Sequence, residues 1–599
     1  MFALREHQLA DALEGSVPPT LSTADLGRLS RTVIQLRPAQ VGQRARLRAQ
    51  RMALEHSVPL AARWLLSGQD PAAGTGWPSG FTPLDARLWR GGQDGIALRA
   101  GELCLIGASR VIADVGEGGT ASWASADWEA ADAPLLWRYH LYYWDWAWAL
   151  AGKQRDPDAQ ALFTAIWQSW RSAVVPGRGP AWHPYPAALR AWSFCGIYRD
   201  LVQGGPVEGP FRRELAAHVG FLRRSLEMDV GGNHLIKNLK ALAGLAVFFG
   251  DHALLTTAIS RVRRQIAVQV LPDGGHYERA PAYHCQVLGD LIDLVGLLRA
   301  AGHGEPAWLV EALAAMRCWL GSVLTPDGEV PLLNDGFPVS REQLGAIRPA
   351  GPPSGSLHVL PDTGLVRATA GRWHLLADIG LPCPRELPAH AHADTLGCLL
   401  HIDSEPLLID TGTSRYEAGA VRDHERSTAA HNTLEVDGTD STEVWGAFRA
   451  GRRARVTHAS AATAEDVVTI EAVHDGYRHL PGRPTHHRRW RLSADELRVD
   501  DTVTGRGRHR ITVRWHLAPD TQLRLVPGGA VVTAKTGDVD VIISATGELD
   551  LTAEMAEVSG GFGRTVTAPV LTCVLRCDLP VRIATAWRQS NPHPQEELT

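Results

Sequence analysis

The chain has 599 residues, 45% hydrophobic and 21% charged, which excludes a disordered or fibrous polypeptide and gives ample length to bury large cores. Its 60 basic and 65 acidic side chains leave a net charge of −5, so no global field gathers nucleic acid or anionic lipid, and any polyanion must be held by a local basic patch. The most apolar stretch, Ala241 to Phe249, is far short of the ~20 residues that span a bilayer.

At the start, Arg5, Glu6, Asp11 and Glu14 interrupt any apolar run, so no signal peptide is expected. Cytoplasmic residence follows as the expectation, or a periplasmic or secreted one if a leader was removed. The eight cysteines are scattered without a CxxC pair, which suits reduced thiols better than a disulfide framework. Residues 1–130, helical from Leu21 to Leu65 and rich in Gly and Pro from Gly68 to Gly119, are read as an accessory cap. Between 131 and 345, apolar stripes at helical spacing predict helices over 135–151, 158–173, 187–203, 210–227, 234–249, 252–270, 282–301 and 306–323. Their short connections predict antiparallel helix pairs. From 350 to 590 the pattern alternates apolar with polar residues, as in Val467 to Ala472 and Arg510 to Trp515, and predicts a large antiparallel β domain. Residues 590–599 read as a frayed tail. The expected class is therefore multidomain α+β.

Trp supplies 20 of the aromatics against 9 Tyr and 11 Phe, with a concentration between Trp123 and Trp192. A Trp face serves core packing and sugar stacking alike.

The densest chemistry opens the β domain: His390-Ala-His392-Ala-Asp394, then Asp410-Thr-Gly412, then His431-Asn432. On a strand, His390 and His392 would share a face. Two imidazoles with an Asp and a His from later segments can build a three-ligand site for Zn²⁺ or Mn²⁺, and one His is left over for acid–base work. In the helical domain, Gly231-Gly232-Asn233-His234 opens a helix with Asn233 expected as its N-cap. Asp273 to Arg279 leads to Pro281, which fits a first turn and puts Tyr283 and His284 near a second helix start. Two helix N-termini suit an anionic ligand. A third group, Trp137-Arg138-Tyr139-His140 with Trp182-His183-Pro184-Tyr185 and Arg190, pairs aromatic faces with cations, as an acidic sugar chain would need. The basic runs Arg449–Arg455 and His486–Arg491 are expected to be solvated strand faces.

In order, these motifs resemble the heparinase II/III family of polysaccharide lyases over about residues 130 to 450. The resemblance implies an incomplete α/α toroid followed by an antiparallel β-sandwich. It implies β-elimination on a uronic-acid polysaccharide, a glycosaminoglycan such as heparan sulfate, chondroitin sulfate or hyaluronan first, to give 4,5-unsaturated oligosaccharides. Asn233 then resembles the carboxylate-neutralising residue, assisted by His234. Tyr283 resembles the tyrosine acting as base, acid or both, and His390 a second base. Arg138, His140, Trp182, His183, Tyr185 and Arg279 are expected to bind substrate. His392, Asp410 and His431 resemble ligands of a mainly structural divalent metal, Zn or Mn. Lys237 departs from the acidic residue expected there. Alginate or bacterial exopolysaccharide cleavage, and non-catalytic sugar binding, are the competing functions. The expected partner is an acidic polysaccharide, with no nucleic acid and no membrane; the oligomeric state stays open.

Overall fold

The computed structural model describes residues 23–56, 59–67, 76–89, 92–115, 121–152 and 155–590. The segment read for a leader and the tail after residue 590 lie outside the described residues. Helices α1 (Thr23–Val33) and α2 (Pro38–Glu55) open the chain. They are followed by short helices and hairpins whose Leu65, Leu98 and Leu103 are buried in the same apolar core as the helices that follow.

Those helices are α3 (Leu135–Tyr143), α4 (Pro157–Ala173), α5 (Pro184–Leu201), α6 (Glu208–Arg224), α7 (Gly232–Phe249), α8 (His252–Gln269), α9 (Pro281–Ala300) and α10 (Ala307–Val323). Proline occupies the first turn of α4, α5 and α9, where its missing N–H costs nothing and its fixed φ starts the helix. This is why α5 begins at Pro184 rather than near 187. The expected helix over 135–151 breaks at Trp144, which takes a left-handed φ of +61° before a 3₁₀ turn. α7 sits centrally, against α5, α8 and α9, and is buried nearly all round. Among the described residues, no helix is long and apolar enough to cross a membrane.

Trp123, Trp128, Trp137, Trp144, Trp146, Trp148, Trp167, Trp170, Trp182 and Trp192 are all buried, none above 4% exposed. Core packing, not sugar stacking, explains the tryptophan concentration. Trp128 and Trp144 stack at 5.7 Å, and Trp170 meets both edge-on.

A short helix ends at Ile347 and strands begin at Leu357. Strands β1 (Leu357–Leu360), β2 (Leu365–Ala370), β3 (Trp373–Asp378), β4 (Cys398–Ile402) and β5 (Glu405–Leu408) form an antiparallel meander. A four-stranded sheet runs β6 (Leu434–Val436), β11 (Arg508–His516), β16 (Thr565–Asp578), β15 (Leu549–Ser559). An eight-stranded sheet contains β7 (Val456–Ala464), β8 (Val467–His474), β9 (Thr485–Leu492), β10 (Glu496–Thr504), β12 (Gln522–Val526), β13 (Gly529–Ala534), β14 (Gly537–Ala545) and β17 (Val581–Gln589). Its order is β7-β8-β9-β10-β17-β14-β13-β12. Alternation puts Val468, Ile470 and Ala472 of β8 and Leu497, Val499 and Val503 of β10 inside, around Trp490, Trp515 and Trp587.

The basic run on β9 is not a solvated face throughout. Arg488 is fully buried, bidentate on Asp501, and its Nη1 donates to the carbonyls of Leu396 (2.8 Å) and Asn432 (2.6 Å). His486 also meets Asp501, at 2.6 Å. A charge buried in the sheet thus pins two loops that carry the site described next. Arg489 and Arg491 of the same strand do remain exposed.

Candidate active site

The start of α7 is built by three side chains from two segments. Gly231, with φ +73°, is the N-cap, so Asn233 lies inside the helix rather than capping it. Capping comes instead from across the domain: Gly232 N–H donates to the Tyr277 hydroxyl (2.9 Å), and Asn233 N–H to Glu278 Oε1 (3.1 Å). A Cβ at position 232 would stand 1.8 Å from Glu278 Oε1, so this turn requires glycine. The Asn233 amide also donates, at 3.2 and 3.1 Å, to both oxygens of Glu278. The amide nitrogen, the donor of the group, therefore faces inward. Asn233 Oδ1 is left buried and unpartnered. Asn233 therefore presents an acceptor to whatever binds above it.

The neighbouring titratable group is His234. Its Nδ1 meets Glu227 Oε1 at 3.0 Å, and Glu227 is in turn held by Asn238 at 2.9 Å. Burial works against a charge on this imidazole, but the Glu227 carboxylate prevails and raises its pKa above the ordinary histidine value. Its side chain keeps 35% exposure, so the ring is not sealed in the core. Tyr185 packs on its ring at 4.2 Å; Tyr143 follows at 5.8 Å and His140 beyond at 4.7 Å. Burial pushes His140 down to about 4, so it is neutral, and burial together with the Arg51 charge keeps His183 neutral too. The Tyr139 hydroxyl meets His183 Nδ1 at 3.2 Å.

Opposite stands a second cluster. The Tyr283 ring, in the first turn of α9, stacks on His390 with centroids 3.9 Å apart, and its hydroxyl is 2.7 Å from that of Tyr416. His390 Nδ1 donates to Asp335 Oδ2 (2.9 Å), and His392 Nε2 donates to Asp335 Oδ1 (2.9 Å). Arg422, fully buried, grips both oxygens of the same Asp335 at 2.5 and 2.9 Å. Burial would raise the Asp335 pKa; Arg422 and the two histidines overcome it and hold the group well below the usual carboxylate range. An ionised Asp335 fixes the His390 tautomer, with Nδ1 protonated and Nε2 free to accept a proton. The segment 390–397 is a loop, not a strand, yet both histidines converge because one carboxylate gathers them. Burial and the neighbouring Tyr416 and Asp335 raise Tyr283 well above 10, so it is a neutral phenol. His284 does not offset this: burial lowers it to about 3, and it bonds the Met316 carbonyl.

His431 Nδ1 meets Asp410 Oδ2 at 2.9 Å, and the His392 and His431 rings lie 5.3 Å apart. Among the described residues, no three His, Cys, Asp or Glu side chains are gathered closely enough to hold an ion as they stand. The donor chemistry nevertheless fits one. His392 Nδ1 and His431 Nε2 are both buried and unpartnered, as is Asp394 Oδ1. His392 donates its other N–H to Asp335, the arrangement that presents a lone pair to a divalent metal, and the Asp410–His431 pair would bring a carboxylate and a second imidazole.

Three residues expected to bind substrate do other work. Arg279 takes a left-handed φ of +61° and donates to the carbonyls of Thr363 (2.6 Å) and Asp362 (3.0 Å), so its guanidinium ties the α9 entry to the β1–β2 turn. Trp182 is 3% exposed, stacked on His218 at 4.6 Å with Arg190 over its face at 5.1 Å. Arg138 donates to the Glu129 carbonyl at 2.7 Å. Lys237 leaves the cleft for a buried ion network with Asp290, Lys240 and Asp293. Asp335, Tyr416, Arg422, Glu227 and Tyr143 were not singled out from sequence. Tyr143 closely follows the Trp137–His140 run and Asp335 sits in the turn-forming Asn334-Asp335-Gly336, while Tyr416, Arg422 and Glu227 stand alone in their segments.

The chain matches the family models described as heparinase II/III N-terminus, over residues 210–348, and heparinase II/III-like, C-terminal, over 352–582. Its fold is similar to that of heparinase III, with TM-score 0.69 at 15% identity, covering 91% of this chain and 92% of that one. The heparan sulfate lyase HepC from Pedobacter heparinus matches with TM-score 0.57 at 16% identity, covering 92% and 89%. The FtsZ-localized protein C of Caulobacter vibrioides is 30% identical over 337 residues, which is 50% of this chain and 58% of that protein's length.

Proposed function

The chain belongs to the heparinase II/III family of polysaccharide lyases, and we propose that it cleaves a uronic-acid-containing polysaccharide by β-elimination. The observation that carries this reading is the Asp335–His390 hydrogen bond with Tyr283 stacked on the same imidazole. The reaction removes the C5 proton beside a carboxylate and expels the C4 glycosidic oxygen. His390, its tautomer set by Asp335, takes the C5 proton at Nε2. Tyr283, a neutral phenol, gives its proton to the leaving oxygen, and Tyr416 holds that hydroxyl in place. The imidazolium of His234 neutralises the substrate carboxylate as negative charge builds toward an enolate, which lowers the barrier more than it favours the ground state. Asn233 Oδ1 accepts a hydrogen bond from a hydroxyl of the same sugar.

A divalent ion, Zn²⁺ or Mn²⁺, would be held by His392, Asp410 and His431. Bound there it would supply positive charge and a cross-link between loops. The residues of the cleft move the protons.

The test is to incubate the protein with heparan sulfate, chondroitin sulfate, hyaluronan and alginate and watch for the ultraviolet chromophore of an unsaturated uronate. Release of the chromophore from one polymer supports the reading and names the substrate.

A second reading rests on a different observation. The similarity to FtsZ-localized protein C is 30% identical, against 15% for heparinase III, and favours a role at the site of cell division with or without turnover. A fluorescent fusion that stays diffuse in dividing cells argues against it.

A further inference from the structure

Between α2 and the helical domain lies a cavity lined by Arg48, Gln50, Arg51, His183, Glu227 and Asp229. Its polar groups are unevenly satisfied. Arg44 pairs with Asp229 Oδ2 at 3.4 Å, and Glu227 pairs with His234 at 3.0 Å. That leaves Arg48 and Arg51 without a hydrogen bond or ion pair among the described residues. Two acceptors in the wall, Gln50 Oε1 and Asp229 Oδ1, are buried and unpartnered, and Asp229 is 9% exposed. A buried polar atom left unpaired is costly, so a cavity with two such acceptors calls for donors from a ligand. A bare anion satisfies the arginines and repels the acceptors. A sugar bearing both hydroxyls and an acidic group satisfies all four. The cavity also shares a wall with the catalytic cleft: Glu227 lines it on one side and holds His234 on the other, and His183 and Pro184 in its lining lead directly to Tyr185.

We propose that this cavity binds an acidic sugar unit of the substrate chain next to the unit being cleaved. Arg48 and Arg51 hold its carboxylate or sulfate, and Gln50 Oε1 and Asp229 Oδ1 accept from its hydroxyls. The assignment rests on the reading of the chain as an acidic-polysaccharide lyase, and it explains what the arginine-rich α2 does beside the toroid.

The test measures binding without turnover. The Tyr283→Phe protein is titrated calorimetrically with a sulfated heparin hexasaccharide and with an unsulfated glucuronate-containing hexasaccharide, before and after Arg48→Ala with Arg51→Ala. Losing two charge-assisted contacts should weaken binding by about tenfold or more at an unchanged melting temperature. A loss with both sugars identifies the carboxylate as the recognised group, and a loss with the sulfated one alone identifies sulfate. Arg48→Ala by itself, at an exposed side chain, gives the same sign if the double variant is unstable. Affinities within twofold of the parent, or a parent that binds neither hexasaccharide, overturn the proposal. Should no polymer yield a chromophore while binding still depends on Arg48 and Arg51, the lyase reading falls and the cavity stands as an acidic-sugar site alone.

Discussion

His390 and Asp335 form one hydrogen bond, Nδ1 to Oδ2 at 2.9 Å, while the other oxygen of the same carboxylate takes His392 at 2.9 Å. A single buried aspartate therefore orients both the group that faces the cleft and a histidine of the adjoining pair, with Arg422 supplying its countercharge.

Asp335→Asn tests that coupling. The substitution leaves Arg422 buried without its anion, which costs on the order of 3 kcal/mol in stability. It also releases the His390 tautomer, which should lower turnover of the folded protein by roughly 10²-fold or more. Calorimetric melting and kinetics on the same preparation check both, and a variant normal in either respect contradicts the coupling.

Tyr283→Phe removes only the phenolic oxygen and keeps the ring on His390. Turnover should fall by roughly 10²-fold or more while melting temperature and substrate affinity persist. Tyr416→Phe removes a hydroxyl that only positions, so its loss should be smaller. If the order of the two effects is reversed, the proton donor is misassigned.

His234 sets a pH dependence. Its pKa is raised by Glu227, so its cation, and with it carboxylate neutralisation, is present below the raised value and lost as pH climbs through it. The ion pair's contribution to stability follows the same sign: full below the unfolded histidine value and lost above the folded one. Glu227→Gln removes the cause, so the alkaline limb of kcat/KM should move toward lower pH. An unmoved limb would show that another group carries it.

For the metal, elemental analysis of purified protein should find one Zn or Mn per chain. Chelation should lower the melting temperature by mass action on the native state and leave the pH profile's shape intact. Stoichiometric absence of both ions, with no change on chelation, would remove the ion from the account.

Helix positions were legible because apolar periodicity is local, and the β domain because alternation is. What escaped depended on contacts between distant segments. The break at Trp144 puts a bulky residue at φ +61°, which no propensity foretells. The Asn233 side chain looked like a cap because Asn before a helix usually is one; Glu278, 45 positions away, took that role. Arg279 looked like an anion clamp, but its Nη1 and Nη2 donate to the carbonyls of Thr363 and Asp362. His390 and His392 were read as sharing a face for the wrong local reason: Asp335, not a strand's pleat, brings them together. Tyr416 lies 133 positions from the Tyr283 hydroxyl it touches, and nothing in its own segment marks it.

The most direct measurement is the mass balance of cleavage on whichever polymer responds. β-Elimination driven by His390 and Tyr283 adds no water, so the product masses should sum to that of the substrate. The new non-reducing end should carry a 4,5-unsaturated uronate, and His390→Ala should abolish both signals. Products whose masses sum to one water more than the substrate, without the chromophore, would mean hydrolysis and contradict the account.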